Sequence, residues 1–496
     1  MRSWMDTMLT PWAVEEMKSA DLSDKRLNAR VAQILSDLGQ RPTASIPAAC
    51  GGHKEMTAAY RFFNNEKVTP QGILQPHYEQ TRQRMAENPV ALLVQDTTEL
   101  DLTRPEAQIV GTGSLDGSSR RGIHLHLMEA FTEDGTPLGA VWTDMWARPD
   151  EGVPLSQADK QKQRKLTPIE EKESYRWLEG LRQARAVAQD LPKTTCVCVA
   201  DSEADIYELF AEPRATERPV EWLIRACYDR ALHEPPEQHE APDQQAAHLR
   251  AAAMAAPVLF TQKISVRGRT PKTGCEKRAR HQPRTSRDAQ VEVRATTVTL
   301  NPPWRPDRKF PPVTVNVVLV REINPPAGDE PVEWILVTTL PINITDNVRN
   351  IIQYYTVRWM IEVLFRTLKS GCRVEARRFE HVDRLLPCVA IYLIVAWRTL
   401  MVCRMGRSCP DIDCEAIFEP EEWKAVYVAI HQRKPPKEPP RLEEMVRLVG
   451  QLGGWVNRPN RKDPPGVQTI WLGLQRMHDL AWAWNAFGPG STLGDV

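Results

Sequence analysis

Two long apolar runs in this chain of 496 residues each give way to polar sequence at an aspartate. "VALLVQDTTELDL" carries Asp96 at that junction, and "TTCVCVADSEADIYELF" carries Asp201 and then passes straight into a helical pattern. Short continuous apolar runs of this kind read as buried strands. A carboxylate just past the end of a buried strand is placed rigidly at a sheet edge, so the chain is expected to build a central sheet that displays acids. Other runs enlarge that sheet. "GIHLHLMEAFT" and "PLGAVWTDMWARP" read as successive antiparallel strands, and "QVEVRATTVTL", "VTVNVVLVREI" and "VEWILVTTLPI" supply three more.

Helical texture flanks the strands. Within residues 1–70, "DLSDKRLNARVAQILSDLG" offers Asp24 as a start signal, an Ile/Leu stripe and Gly39 as a stop. Gly51 and Gly52 separate it from "HKEMTAAYRFFNNEKVTP". Arg26, Arg30, Lys54 and Arg61 suit a helix laid against DNA, although this stretch taken alone reads more readily as a solvated face. From about residue 385 the pattern is helical again. Its apolar stretch "LLPCVAIYLIVAW" is too short to cross a bilayer and ends at Arg398, so a buried core helix and no membrane association are expected. The domain boundaries expected are 1–70, 71–384 with a β-rich insertion at about 211–340, and 385–496.

Composition excludes some classes. A formal net charge of zero argues against a uniformly polybasic coat. Residues 261–287 nevertheless gather Lys263, Arg267, Arg269, Lys272, Lys277, Arg278, Arg280, Arg284 and Arg287 against a single acid, Glu276. Such a run reads as a solvated loop or a phosphate-contacting arm. The ten cysteines lack zinc-site spacing and no signal peptide opens the sequence, which points to reduced thiols in a cytoplasm. "GTGSLDG" has the wrong glycine spacing for a dinucleotide loop and no helix follows it.

The segment 354–369, "YYTVRWMIEVLFRTLK", carries the chemistry. On an ideal helix, with about 100° per residue, Arg358, Glu362 and Lys369 fall within about 60° of Tyr355 on one side. Val357, Ile361, Leu364 and Leu368 take the opposite face. A carboxylate flanked by two cations and a phenol is unusual for a merely solvated stripe. With Asp96 and Asp201 it would make a three-carboxylate cluster, which repels itself unless a cation neutralises it. Hard oxygen ligands select Mg²⁺ or Mn²⁺, and a pair of such ions suits in-line phosphoryl displacement. Arg358 and Lys369 would hold phosphates beside that cluster.

These residues resemble a known family, the cut-and-paste DDE transposases of the IS-four group, of the Tn-five type. Its Y-x2-R-x3-E-x6-K signature is matched at every spacing by Tyr355, Arg358, Glu362 and Lys369. "VQDTTEL" and "VADSEADIYELF" resemble its two aspartate strands, and "EINPPAGDEPVEWILVTT" and "LGGWVNR" are family-like as well. The resemblance covers nearly the whole chain. It implies an α/β, RNase H-like catalytic core with a β-rich insertion, between an all-helical N-terminal DNA-binding domain and an all-helical C-terminal dimerisation domain. The 160 residues between Asp201 and Glu362 leave room for that insertion.

The implied activity is metal-dependent nicking of transposon ends, hairpin formation, and joining of the 3′ ends to target DNA. Asp96, Asp201 and Glu362 would be catalytic and hold two Mg²⁺ ions, with Mn²⁺ as substitute. Tyr355, Arg358, Lys369, Arg366, Arg378 and Glu380 would contact end DNA, Trp334 would receive a flipped base, and Arg26, Arg30 and Arg61 would bind DNA from the N-terminal domain. The implied partners are double-stranded DNA, both transposon ends and target, and a second copy of the chain that pairs with the first on DNA. A bacterial, nucleoid-associated location follows. Departures are Val363 where the familiar member has an acid, and Ser202 where it has arginine. Two rival readings share these residues: an idle DNA-binding inhibitor of transposition, and a metal-dependent nuclease without strand transfer.

Overall fold

Among the described residues the strands are β1 (Val90–Asp101), β2 (Gly113–Ser114), β3 (Arg121–Phe131), β4 (Pro137–Trp146), β5 (Thr195–Ala200), β6 (Glu221–Arg225), β7 (Val258–Val266), β8 (Arg287–Leu300), β9 (Val313–Glu322) and β10 (Glu333–Thr338). They come from a computed structural model that describes residues 9–104, 106–116, 119–149, 159, 163, 166–214, 219–233, 247–266, 268, 284–458 and 463–489. The middle of the basic run, at 267 and 269–283, lies outside the described residues. Two compact units divide the chain. The first takes in Met1–Ala91, Asp96–Gly152 and Trp359–Val496, and the second Leu92–Gln95 and Val153–Arg358.

In the first unit the order is β2-β3-β1, with β4 on the far side of β3. β3 and β4 run antiparallel, as their alternation predicts, with irregularities after Met128 and after Ala130. The 27-residue helix Val382–Ser408 forms the centre. It packs against β4 and against the helices Lys25–Gln40, Pro70–Ala86 and Leu442–Leu452. By length and composition alone it could cross a membrane, but it is mostly buried within the unit. All-round apolarity is what such a central helix needs.

The N-terminal helices are tied to this centre by polar anchors. Asp24 caps Lys25–Gln40 by accepting the Arg26 amide at 2.8 Å. Gly39 does not stop that helix. It lies inside it, where a Cβ would come within 2.6 Å of the Trp12 ring. Glu16 of the first helix accepts both Arg84 amino groups at 3.0 and 3.1 Å and faces His77 at 2.5 Å. The Ala140 amide donates to the other His77 ring nitrogen at 3.0 Å, so His77 carries its proton on Nδ1 and donates it to Glu16. Arg377, buried over the Tyr392 ring at 4.4 Å, donates to the carbonyls of Pro42, Ala44 and Cys372.

In the second unit, residues 92–95 of β1 stand beside β5, and the order continues β5-β6-β10-β9-β8-β7. β5 and β6 are parallel, while β6-β10, β10-β9, β9-β8 and β8-β7 are antiparallel. The sheet is therefore mixed. The helix Tyr175–Gln189 covers it through Gly180, where a Cβ would meet the Gln95 amide oxygen at 2.1 Å. The long antiparallel ladder from β7 to β10 accounts for the strand-like runs that the sequence places between Asp201 and Glu362.

Candidate active site

Asp201 sits at the carboxyl end of β5, where α/β sheets generally receive ligands. Its side chain accepts the Glu203 amide at 2.8 Å and caps a single 3-10 turn, Ser202–Ala204, which precedes the short helix Tyr207–Phe210. The parallel register pairs Ala200 with Ile224, so the next positions along the two strands are Asp201 and Arg225. Arg225 in turn hydrogen-bonds the Tyr355 phenol. Burial raises the pKa of that phenol, Arg358 and Arg225 draw it back down, and Asp201 adds to the rise. Tyr355 is 6% exposed and meets the half-buried Trp334 edge to face, at 5.3 Å between ring centroids. Asp201, Arg225, Tyr355, Arg358 and Trp334 therefore share one neighbourhood of the second unit.

Asp96 is not at a strand end. β1 runs on for five residues past it, and Asp96 marks only the point where the fully buried half, Ala91–Gln95, becomes half-buried. The strand continues because Thr97 and Thr98 favour extended backbone and Leu100 is buried again. The Asp96 carboxylate accepts the Thr97 amide at 2.8 Å. Alternation places Thr97, Glu99 and Asp101 on the other face of the strand. There Glu99 pairs with Arg120 at 2.6 Å, Asp101 stands 3.7 Å from the same guanidinium, and the Asp101 amide donates to Glu375 at 2.8 Å. Lys369 belongs to this charged group: burial depresses its pKa, Glu375, Glu99 and Asp101 hold it up, and Arg120 opposes them.

The segment 354–369 is not one regular helix. The helix Thr345–Val357 is capped at Arg358, a second helix runs Trp359–Arg366, and Thr367–Gly371 forms a π-type turn that carries Lys369. Such turns insert an extra residue per hydrogen-bonded loop and re-aim side chains. The polar stripe is consequently not a solvated face. Tyr355 is buried, Arg358, Glu362 and Lys369 are half-buried, and the exposed positions are Thr356, Trp359 and Arg366. Glu362 lies in the first turn of its helix, where a negative charge is favoured.

Among the other sequence candidates, Arg378 and Glu380 are exposed on either side of Phe379, whose ring packs against Tyr60 and Phe63. Arg26 and Arg61 are exposed and Arg30 is half-buried. The reading of the sequence missed Arg225, Glu99, Asp101, Arg120 and Glu375. Arg225 closes the short run "EWLIR", which carries no motif of its own, and only the register with β5 brings it to notice.

Among the described residues no three His, Cys, Asp or Glu side chains stand close enough together to hold a metal ion. The three candidate side chains offer carboxylate oxygens, the kind of donor that hard divalent cations take.

Family models match the chain in three places. "Transposase DNA-binding" matches residues 10–68, "Transposase DDE domain" matches 178–386, and "Transposase Tn5 dimerisation domain" matches 394–483. Among solved structures the chain is similar to the piggyBac transposase of a cryo-EM synaptic complex with hairpin DNA. That similarity is 9% in sequence, spans 81% of this chain and 72% of that one, and has a TM-score of 0.36, too loose to argue from. With a mixed sheet of RNase H-like type, helical regions at both ends and these three matches in chain order, the protein is a DNA transposase and belongs to the Tn5-like DDE family.

Proposed function

We propose that this transposase performs cut-and-paste transposition, with Asp96, Asp201 and Glu362 as its catalytic carboxylates. The observation that carries the reading is the grouping of Asp201 with Arg225, Tyr355 and Arg358 at the carboxyl end of the parallel strand pair. A carboxylate with two guanidinium groups and a buried phenol is a place for a phosphodiester, since the guanidinium groups neutralise phosphate oxygens and the carboxylate would supply an oxygen ligand to a divalent cation. Asp96, Asp201 and Glu362 would hold Mg²⁺ or Mn²⁺, which when bound neutralises charge on the transferring phosphate and activates the attacking oxygen.

In the first step water attacks one phosphodiester and the bond to the 3′ oxygen breaks, leaving a 3′ hydroxyl and a 5′ phosphate. That hydroxyl then attacks the opposite strand, closing a hairpin on the transposon end and releasing the flanking DNA. A second water opens the hairpin, and the regenerated 3′ hydroxyl attacks the target strand. Arg225, Arg358 and Lys369 contribute by holding the bent backbone through phosphate contacts. Tyr355, packed against the Trp334 edge, adds one hydroxyl beside Arg225 and Arg358. Trp334 stands ready to stack on a base displaced from the bent end.

The test is to replace Asp96, Asp201 and Glu362 singly by Ala and follow nicking of a labelled transposon end alongside end binding in a gel-shift assay. Nicking should fall by roughly a thousandfold or more while binding changes little, because these groups act on the transition state. Substantial nicking by any one variant removes that residue from the catalytic set.

A further inference from the structure

A stretch of the second unit holds two aromatic side chains out in solvent on a frame that is otherwise firmly anchored. The β8–β9 connection, "NPPWRPDRKFPP" at 301–312, contains five prolines, each of which fixes its own backbone φ. Its indole, Trp304, is 72% exposed, the most exposed large apolar side chain among the described residues. Everything around it is tied down. The Tyr207 hydroxyl donates to Pro311 O at 2.8 Å and lies 3.3 Å from Leu300 O, and the Tyr207 ring packs on Phe310 at 5.6 Å. Arg305 donates to Glu208 at 2.7 Å.

The same frame carries a second aromatic. Residues 231–233 bond back to 299–301 through a bridge between Leu232 and Leu300, with Asn301 N to Ala231 O at 3.0 Å and His233 N to Thr299 O at 2.8 Å. Just before that bridge Tyr228 stands 63% exposed. Its backbone is held by the buried Asp205 carboxylate, which accepts the amides of Cys227 and Tyr228 at 2.7 and 3.0 Å and the Arg230 guanidinium at 2.6 Å. Arg230 lies 5.6 Å from the Tyr228 ring centroid. Asp205, Tyr207 and Glu208, the residues that anchor both stretches, follow Asp201 by only four to seven positions.

Water does not favour an exposed indole, and a chain with no use for one has no reason to stiffen the loop that displays it. We infer that Trp304 and Tyr228 form a stacking platform for unpaired nucleobases of DNA, with exposed Lys309 nearby in sequence to meet the phosphates. Aromatic faces accept any base, so the platform fits a strand opened or distorted beside the reacting phosphodiester rather than a particular sequence. The inference rests on the protein being a DNA transposase and not on the cleavage route proposed above. The strand can come from the transposon end or from the target, and both present the same chemistry.

The test uses the full chain in EDTA, so that cleavage plays no part, with single-stranded oligonucleotides of transposon-flank and of unrelated target sequence carrying 2-aminopurine. Trp304→Ala should weaken binding roughly tenfold and abolish stacking-induced quenching of the 2-aminopurine. Trp304→Phe should retain most of both, and Tyr228→Ala should give a smaller loss. A loss with flank DNA alone assigns the platform to the end strand, and a loss with both assigns it to any opened strand. Wild-type affinity and quenching in Trp304→Ala with both DNAs overturns the inference, as does an equal loss in Trp304→Phe. Asp201→Ala separates the two proposals, since it should lose nicking while keeping single-strand binding and quenching intact.

Discussion

Trp334 and Tyr355 illustrate how one ring contact can be read as chemistry or as packing. Their edge-to-face contact, about 1 kcal/mol in typical pairs, links the β10 strand to the helix that carries Tyr355. If Trp334 receives a displaced base, Trp334→Ala should slow hairpin formation or opening by more than it slows first nicking, read from a time course on labelled ends. Equal loss at every step would assign it to packing. A second residue-scale prediction concerns the ions. Oxygen-only donors should give cleavage in Mg²⁺ or Mn²⁺, end binding without cleavage in Ca²⁺, and none in EDTA. Robust cleavage in EDTA would refute the assignment of the three carboxylates. A third concerns Glu16. Burial alone would raise its pKa, but His77 and the Arg84 guanidinium overcome this and hold it at about 2, below the ordinary 4.5. A depressed carboxyl stabilises the fold above its ordinary pKa, and that stability is lost as the pH falls through the folded value. Burial also depresses His77 below 6.5, so protonation of the unfolded chain destabilises the fold in the same direction. Denaturant midpoints should therefore fall as the pH drops from about 6.5 toward 2. Glu16→Gln should lose on the order of 3 kcal/mol at pH 7 and show a flatter acid limb.

At the scale of elements, backbone proximity decides more than side-chain pattern. The helices Leu442–Leu452 and Val467–Phe487 approach so closely that a Cβ at Gly473 would lie 1.9 Å from the Val449 carbonyl oxygen. Gly473→Ala must push the helices apart and should cost about 1–3 kcal/mol, seen as a lower melting temperature. An unchanged melting temperature would show that the pair tolerates separation. The stripe on the second helix, Trp471, Leu474, His478 and Trp482, has the spacing of a partner-facing seam. Its first part is taken up internally: Trp471 covers Gly371 and His478 pairs with Glu422 at 3.2 Å, which leaves Trp482 exposed at 51%. The run from Thr345 to Gly371 is likewise not one regular helix, with a break at Arg358 and a π-type turn at Thr367–Gly371 that carries Lys369.

For the whole molecule, the proposed excision would need two ends cut together, with one Asp96–Asp201–Glu362 set serving one end. A twofold dimer on DNA is the simplest closed arrangement, in keeping with the match of residues 394–483 to a dimerisation domain. If each protomer binds one end and cuts the other, mixing two defective chains reveals it. A Glu362→Ala protomer paired with one bearing charge reversal at Arg26 and Arg30 should leave one end cut and the other untouched. Equal cutting of both ends, or excision by a monomer, would exclude cutting in trans.

Several features could be read directly from the order of residues. Apolar runs are local, so β3, β4, β8, β9 and β10 were visible as strands, and the Tyr355, Arg358, Glu362 and Lys369 spacing was visible as a signature. Asp24 as a helix cap is local too. What periodicity misplaces is whatever depends on a neighbour across space. Asp96 reads as a strand end because polarity begins there, yet pairing carries β1 on to Asp101. Gly39 reads as a stop because it lacks a side chain, yet it is there because Trp12 presses against it. Arg225 has no special mark in "EWLIR" and gains its meaning only from the parallel register that sets it beside Asp201. Local order along the chain was enough to say which residue types are available and which segments extend or coil, because those preferences act between near neighbours. Which cation meets which acid, and which aromatic stays in solvent, came from packing in three dimensions, because those contacts join residues up to hundreds of positions apart.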